Sequence, residues 1–431
     1  MFKHKRVALM LAGLFMIAGC TPTGSSSGTG NSNPDSTNTS NSTSTTKQRV
    51  RLQVWGPKQE QALYTKHAAE FQALNPQIEF KVDYGDVGEP DAAKNVLADV
   101  STAADVFFYP DDQIAVMANK GVLAKLPVGY KNKIAARDTA PAVDAATFAG
   151  DNEMYGFPVS SDNGYYLAYN KKYFSEDDVK TLEGILAKVS ASHQFALDMG
   201  NGYYSTSFIQ YISDIAYDPV TELHTTNFNN QASHDALQAI ANLIRPLKNV
   251  GFLSEDFNGA ALDDLSDANN NAVIAGVTGH WNTNKLIEIL GDDLGTAKLP
   301  TFKDVNGVDV QMGSFIGSKL VGVKSSSNNL AYAIAFADYI TNEAAQIARF
   351  ELNGWGPSNI EAQKDPGVAA NPGLSALAAQ APYAIPQGKS VGGLFWSNAG
   401  TLGTFLLDGP TPTGPQTLQA ALDEFVNAIT Q

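Results

Sequence analysis

Apolar residues recur at every second position through Val50, Leu52 and Val54, and then at helical spacing through Tyr64, Ala68, Phe71 and Leu74 until Asn75-Pro76 interrupts them. A period of two lines one face of a strand, and a period near 3.6 lines one face of a helix. The pattern therefore predicts a strand ending at Trp55 and a helix after it. Ile78, Phe80 and Val82 repeat the strand signal, residues 92–100 the helical one, and 105–108 read as a buried strand. A further helix over 112–120 is capped by Gly121. This β-α-β-α-β order predicts right-handed crossovers and a parallel sheet covered on both faces. Ligands of such sheets gather beyond the carboxyl ends of the strands. Those ends are residues 55–59, which include Lys58 and Gln59, and residues 109–113.

A second α/β region starts near Gly164. Strands are predicted at 165–169 and 194–198, and a long amphipathic helix at 232–247. A strand at 319–323 and a helix over about 330–350 follow, and helices near 399–407 and 416–429 close the chain. There is no internal repeat.

The amino-terminal segment has a different character. Lys3, Lys5 and Arg6 precede an apolar run over 7–19 that ends Ala18-Gly19-Cys20. Such a run spans only about 20 Å against a hydrocarbon core of about 30 Å, which favours a secretory signal over a membrane helix. The small residues before Cys20 resemble the lipobox of bacterial lipoproteins, in which the cysteine is acylated (palmitate is one such group) and becomes the first mature residue. Of the 26 residues from 21 to 46, 23 are Ser, Thr, Asn or Gly, too polar to build a core. As a flexible coil the segment would reach about 28 Å. The expectation is a signal peptide over 1–19, a lipid-anchored tether over 20–47, and an extracytoplasmic body attached to the membrane only through Cys20.

Composition narrows the partners. Loss of residues 1–19 leaves 26 basic and 44 acidic residues, a formal charge of −18. That balance disfavours nucleic acid and anionic lipid surfaces. Cys20 is the only cysteine, so no disulfide, thiolate nucleophile or cysteine metal site is available to the body.

Several short motifs, in order, carry a resemblance. Tyr155-Gly156-Phe157-Pro158 precedes Leu167-Ala168-Tyr169-Asn170-Lys171, and Gly279-His280-Trp281 precedes Leu299-Pro300-Thr301-Phe302. Ile385-Pro386-Gln387 and Leu394-Phe395-Trp396 follow near the end. Together they resemble the extracellular solute-binding proteins of bacterial ABC transporters, most nearly the maltose/maltodextrin-binding type. Ala268 and Asn271 depart from that pattern, where the family often carries phenylalanine and glycine. The resemblance implies a two-lobed, periplasmic-binding-protein-like α/β fold, each lobe a sheet flanked by helices, with ligand between the lobes. The first lobe would hold 48–160 plus 318–353 and the second 164–313 plus 358–431. Gly354, Gly356 and Pro357 around Trp355 would form a third crossing.

A sugar has an apolar face that packs on an aromatic ring and a rim of hydroxyls that need partners once out of water. By resemblance, Tyr109 stands at a stacking position and Asp112 at that of a carboxylate bonding hydroxyls, while Gln113 replaces an arginine. Asp111 reads equally well as a helix cap. Asn201 replaces an acid beside Tyr203. Asn163 stands where the maltose-binding type has glutamate, although Asp162-Asn163-Gly164 is also a turn signal. Trp281 and Trp396 are the strongest platform candidates, and Trp55 and Trp355 stay open between platform and core.

Enzymatic readings find little support. The six histidines show no metal-ligand spacing, and there is no G-x-S-x-G elbow or phosphate loop. The segment 267–271 looks like a calcium loop but has Ala272 in place of glycine and Thr278 in place of the closing glutamate, which makes it a surface turn. A glycoside hydrolase would need two carboxylates, for which Asp112 and Asp162 are the imaginable pair. The expected role is a monomeric, cofactor-free receptor that takes an oligosaccharide, malto-oligosaccharide by resemblance, and hands it to ABC permease subunits. A cationic solute is the main alternative, because the body is acidic.

Overall fold

The computed structural model describes residues 47–209 and 215–431; the predicted signal segment, Cys20 and nearly all of the tether lie outside the described residues. The strand predicted from Val50, Leu52 and Val54 is β1, Gln48–Gly56, with those three side chains buried on one face. It pairs in parallel with β2, Ile78–Asp86, and with β3, Val106–Pro110. Helix α1, Gln61–Leu74, lies between β1 and β2 in the chain and buries Tyr64 and Phe71. Helices α2, Ala92–Ala98, and α3, Ile114–Asn119, complete the predicted alternation. Gly121 takes a left-handed φ of 67° just beyond α3, a conformation that costs glycine little.

The sheet is mixed where a wholly parallel one was expected. Strands β4, Gly156–Asn170, and β9, Ser314–Val323, run through its centre, and β9 is antiparallel to both β3 and β4. Beyond β4 lie β5, Gln194–Ala196, β6, Phe252–Leu253, β7, Val273–Gly279, and β8, Leu294–Ala297; β10, Ala384–Pro386, pairs with β9. The resulting order is β6-β5-β7-β4-β9-β3-β1-β2, with β8 on β4 and β10 on β9.

Two hydrophobic cores explain this arrangement. Strand β4 contributes Phe157 and Val159 to a core built on β1–β3, and Tyr165 and Leu167 to another built on β5 and β7. Strand β9 does the reverse, giving Phe315 to the second core and Leu320, Val321 and Val323 to the first. A strand returning from the other core must enter antiparallel to the one that left. Segment 162–164 therefore lies inside a strand, and the turn reading of Asp162-Asn163-Gly164 is corrected.

Helix boundaries differ where capping residues intervene. The helix expected over 330–350 is two, α5, Leu330–Tyr339, and α6, Glu343–Asn353, because Asn342 caps the second by accepting from the Ala345 N–H. Helix α4, Gln231–Ile244, stops before Pro246. Helix α7, Gly393–Asp408, begins six residues earlier than predicted and places Trp396 on its first turn, and α8, Leu418–Thr430, ends the chain. The calcium-like segment is a turn, with Asn270 and Asn271 at φ of 55° and 48° and Lys172 paired to Asp267.

Candidate functional site

Close backbone packing sets the geometry of the site. A Cβ at Gly403 would lie 2.0 Å from the Met199 carbonyl, and one at Gly202 2.0 Å from the Trp396 carbonyl. Only glycine lets α7 rest backbone to backbone on residues 199–202. That approach brings Trp396 beside Tyr203, their ring centroids 6.0 Å apart. Trp281, in the turn after β7, has its ring centroid 6.3 Å from that of Tyr203. Tyr203 also stacks on Phe315 at 6.1 Å and an angle of 17°. Three predicted aromatic residues thus form one cluster, Tyr203 and Trp396 packed against the second core and Trp281 against the first.

The first core meets them with Asp112. Trp396 donates its indole N–H to Asp112 Oδ2 at 3.1 Å, and the Gln387 amide approaches Oδ1 at 3.3 Å. Removal from water pushes the Asp112 carboxyl up to about 7. Asp111 next to it is 2 % exposed, and its Oδ1 has no hydrogen-bond partner among the described residues. Burial, reinforced by Asp112, raises the Asp111 carboxyl to about 8. The Tyr203 hydroxyl is also buried without a described partner. Rings, a carboxylate and an unspent hydroxyl stand together, the combination a sugar needs.

Other predicted residues are engaged elsewhere. Tyr109 is fully buried in the first core with its hydroxyl 3.5 Å from the Tyr155 carbonyl, so its stacking role is corrected: no ring face is open to a ligand. Gln113 accepts from the Ala93 N–H at 2.9 Å and donates to the Pro90 carbonyl at 2.6 Å, which spends its amide on the turn before α2. Asn201 caps the short helix Gly202–Ser205 by accepting from the Tyr203 N–H. It thereby positions Tyr203. Lys58 and Gln59 are exposed, and no hydrogen bond or ion pair among the described residues joins them to the cluster. Trp355 is 3 % exposed and belongs to the first core, against which Trp55 also packs.

Asn163 lies at the crossing and accepts from Lys319 Nζ at 3.0 Å. Its neighbour Asp162 accepts from the Gly356 N–H at 2.6 Å and lies 3.6 Å from His280 Nε2. That carboxylate ties two crossing segments together.

Sequence reasoning missed Asn258 and Lys319. Asn258 accepts the Trp281 indole N–H at 3.1 Å. Lys319 is 3 % exposed, with its ammonium 5.0 Å from the ring centroids of both Trp281 and Trp355. A lysine opening the apolar run Leu320-Val321 was a legible signal, but it reads as a strand end. A separate cavity of about 520 Å³ touches Asp111, Phe148, Tyr217 and Ile316 and none of Tyr203, Trp281 or Trp396. Its lining sets Pro141, Phe148 and Ile316 beside the polar Thr139, Asp144, Ser161 and Gln363, and Asp111 is the residue it shares with the surroundings of the ring cluster.

The comparisons bear out the family and the fold. Residues 66–376 match the family model described as bacterial extracellular solute-binding protein. No curated protein matches the chain in sequence. Among solved structures, the maltodextrin-binding protein MalE1 from L. casei BL23, without ligand, is 26 % identical; the match covers 89 % of this chain and 99 % of that one, with a TM-score of 0.73. A chain solved with acarbose is 25 % identical over the same shares, with a TM-score of 0.77. The Thermus thermophilus maltotriose-binding protein, bound with maltotriose, is 21 % identical over 88 % and 99 %, with a TM-score of 0.70, a likeness of fold.

Proposed function

We propose that this chain, which belongs to the bacterial extracellular solute-binding proteins, captures an oligosaccharide between its two lobes and delivers it to the permease of an ABC importer. The observation that carries this reading is the meeting of Tyr203 and Trp396 from the second core with Trp281 and Asp112 from the side of the first. Malto-oligosaccharides come first as ligands, on the likeness to the maltodextrin-binding MalE1. A ligand touching both sides favours closure by its differential affinity for the closed arrangement. The protein acts as a binding component and not as an enzyme, as a monomer held to the membrane by lipid on Cys20, with the lobes divided at 160–164 and 313–318 and at the Trp355 crossing.

Calorimetric titration with maltose to maltoheptaose tests it. Binding that weakens by roughly 1–3 kcal/mol in Trp281→Ala or Trp396→Ala supports the assignment. Unchanged affinity in both variants rejects the platforms, and release of new reducing ends rejects a pure receptor. The acidic balance of the chain favours one second reading, a cationic solute; binding of polyamines with no response to sugars would establish it.

A further inference from the structure

Lys319 occupies an unusual place in β9. The residues after it, Leu320 and Val321, are fully buried in the first core, and the register between β9 and β4 shifts on both sides of Lys319. Such irregularities re-aim a side chain. Here the ammonium is brought to the junction of the cores, 5.0 Å from the rings of Trp281 and Trp355. Glu89 Oε1 lies 3.8 Å away, beyond hydrogen-bond reach, and Asn163 Oδ1 accepts the one hydrogen bond found among the described residues.

An ammonium has three donors and is costly to bury with one of them satisfied. The two indoles offset part of that cost by cation–π attraction, which uses the ring face. A pyranose packs through the same face. Cation and sugar ring therefore exclude one another wherever Lys319 covers an indole. The uncovered platforms are Tyr203, Trp396 and the remainder of Trp281.

We propose that Lys319 is the specificity-determining residue of the cleft: its ammonium fills the Trp281–Trp355 slot, ends the row of sugar platforms there, and donates to a hydroxyl of the terminal sugar unit. This inference rests on the saccharide reading of the same site and adds a limit on ligand length.

The test compares titrations of maltose through maltoheptaose for wild type, Lys319→Ala and Lys319→Arg, with circular dichroism to confirm folding. In wild type, affinity stops rising with chain length once the ligand reaches Lys319. Lys319→Ala empties the slot, and the ring face gained by longer chains outweighs the lost donor, so the ratio of long-chain to short-chain affinity rises about tenfold. Lys319→Arg keeps a cation over the rings and preserves the wild-type order. Should the Ala variant fail to fold, Lys319→Ser carries the same expectation. Wild type that binds while folded neutral variants keep the wild-type ratio overturns this inference alone. Wild type that binds none of these sugars overturns the saccharide reading and this inference with it.

Discussion

Trp396 and Asp112 are joined by a 3.1 Å hydrogen bond from indole to carboxylate, across the junction of two hydrophobic cores. Trp396 stands on α7, which packs on the second core, and Asp112 in the turn that leaves β3 in the first. The bond holds a carboxyl group out of water beside a second, more deeply buried one at Asp111. Two adjacent acids in that setting resist ionising together.

Their raised values give stability a definite pH dependence. A carboxyl near 4 when unfolded and near 7 (Asp112) or 8 (Asp111) when folded makes the native state the better proton binder in between. Their contribution is therefore present on the acid side and declines as pH rises through 7 to 8. The buried His67, His224 and His280 have values lowered by burial and act in the opposite direction only at lower pH, so pH 7 to 8.5 isolates the carboxyl pair. The thermal midpoint should fall across that window, and Asp111→Asn should flatten the slope and raise the midpoint at pH 8. A midpoint that rises with pH in wild type, or an equal slope in the variant, contradicts the assignment.

Tyr203 separates ligand recognition from stability. Its hydroxyl is buried with no described partner, so Tyr203→Phe removes an unsatisfied group and should leave the thermal midpoint unchanged or raise it. If a sugar hydroxyl satisfies that oxygen in the complex, the same change weakens binding by about 0.5–1.5 kcal/mol. Calorimetry and thermal unfolding on one variant read both effects. Lower stability without loss of affinity would place the hydroxyl in the structure and not in the site.

Local periodicity made much of the fold legible, because β1, α1 and β2 each bury one face and β3 is a continuous buried apolar run. The antiparallel entry of β9 was not, since it depends on a partner more than 150 residues away in the chain. Trp281 and Trp396 could be singled out because tryptophan in turn-like sequence is uncommon, and Tyr203 through its place in a segment that resembles the family's. Tyr109 misled for the same reason: aromatic residues at a strand end pack inward or outward according to neighbours on other strands, here Leu320 and Gly156. The amides of Gln113 and Asn201 matched ligand-reading positions but are spent on backbone groups, a competition that local sequence leaves undecided. Lys319 was passed over because nothing adjacent in the chain announces the two indoles it meets.

The first core depends on a buried ion pair whose removal can be read independently of any ligand. Arg349 on α6 donates to Glu60 at 2.9 Å, and both side chains are fully buried. Tyr64 and Asn353 donate to the same carboxylate at 2.6 and 2.7 Å, so Glu60 ties α1 to α6 beneath the Trp355 crossing. Truncating one member leaves a buried charge without its counterion, which typically costs about 3–5 kcal/mol. Arg349→Ala should lower stability by that amount in urea unfolding. The pair replaced together, Arg349→Met with Glu60→Gln, should recover a large part of it, because no unpaired charge remains. An additive double variant would show that the two side chains contribute separately. Below the unfolding transition neither form should alter the order of affinities across the maltose series, since neither residue touches Tyr203, Trp281 or Trp396.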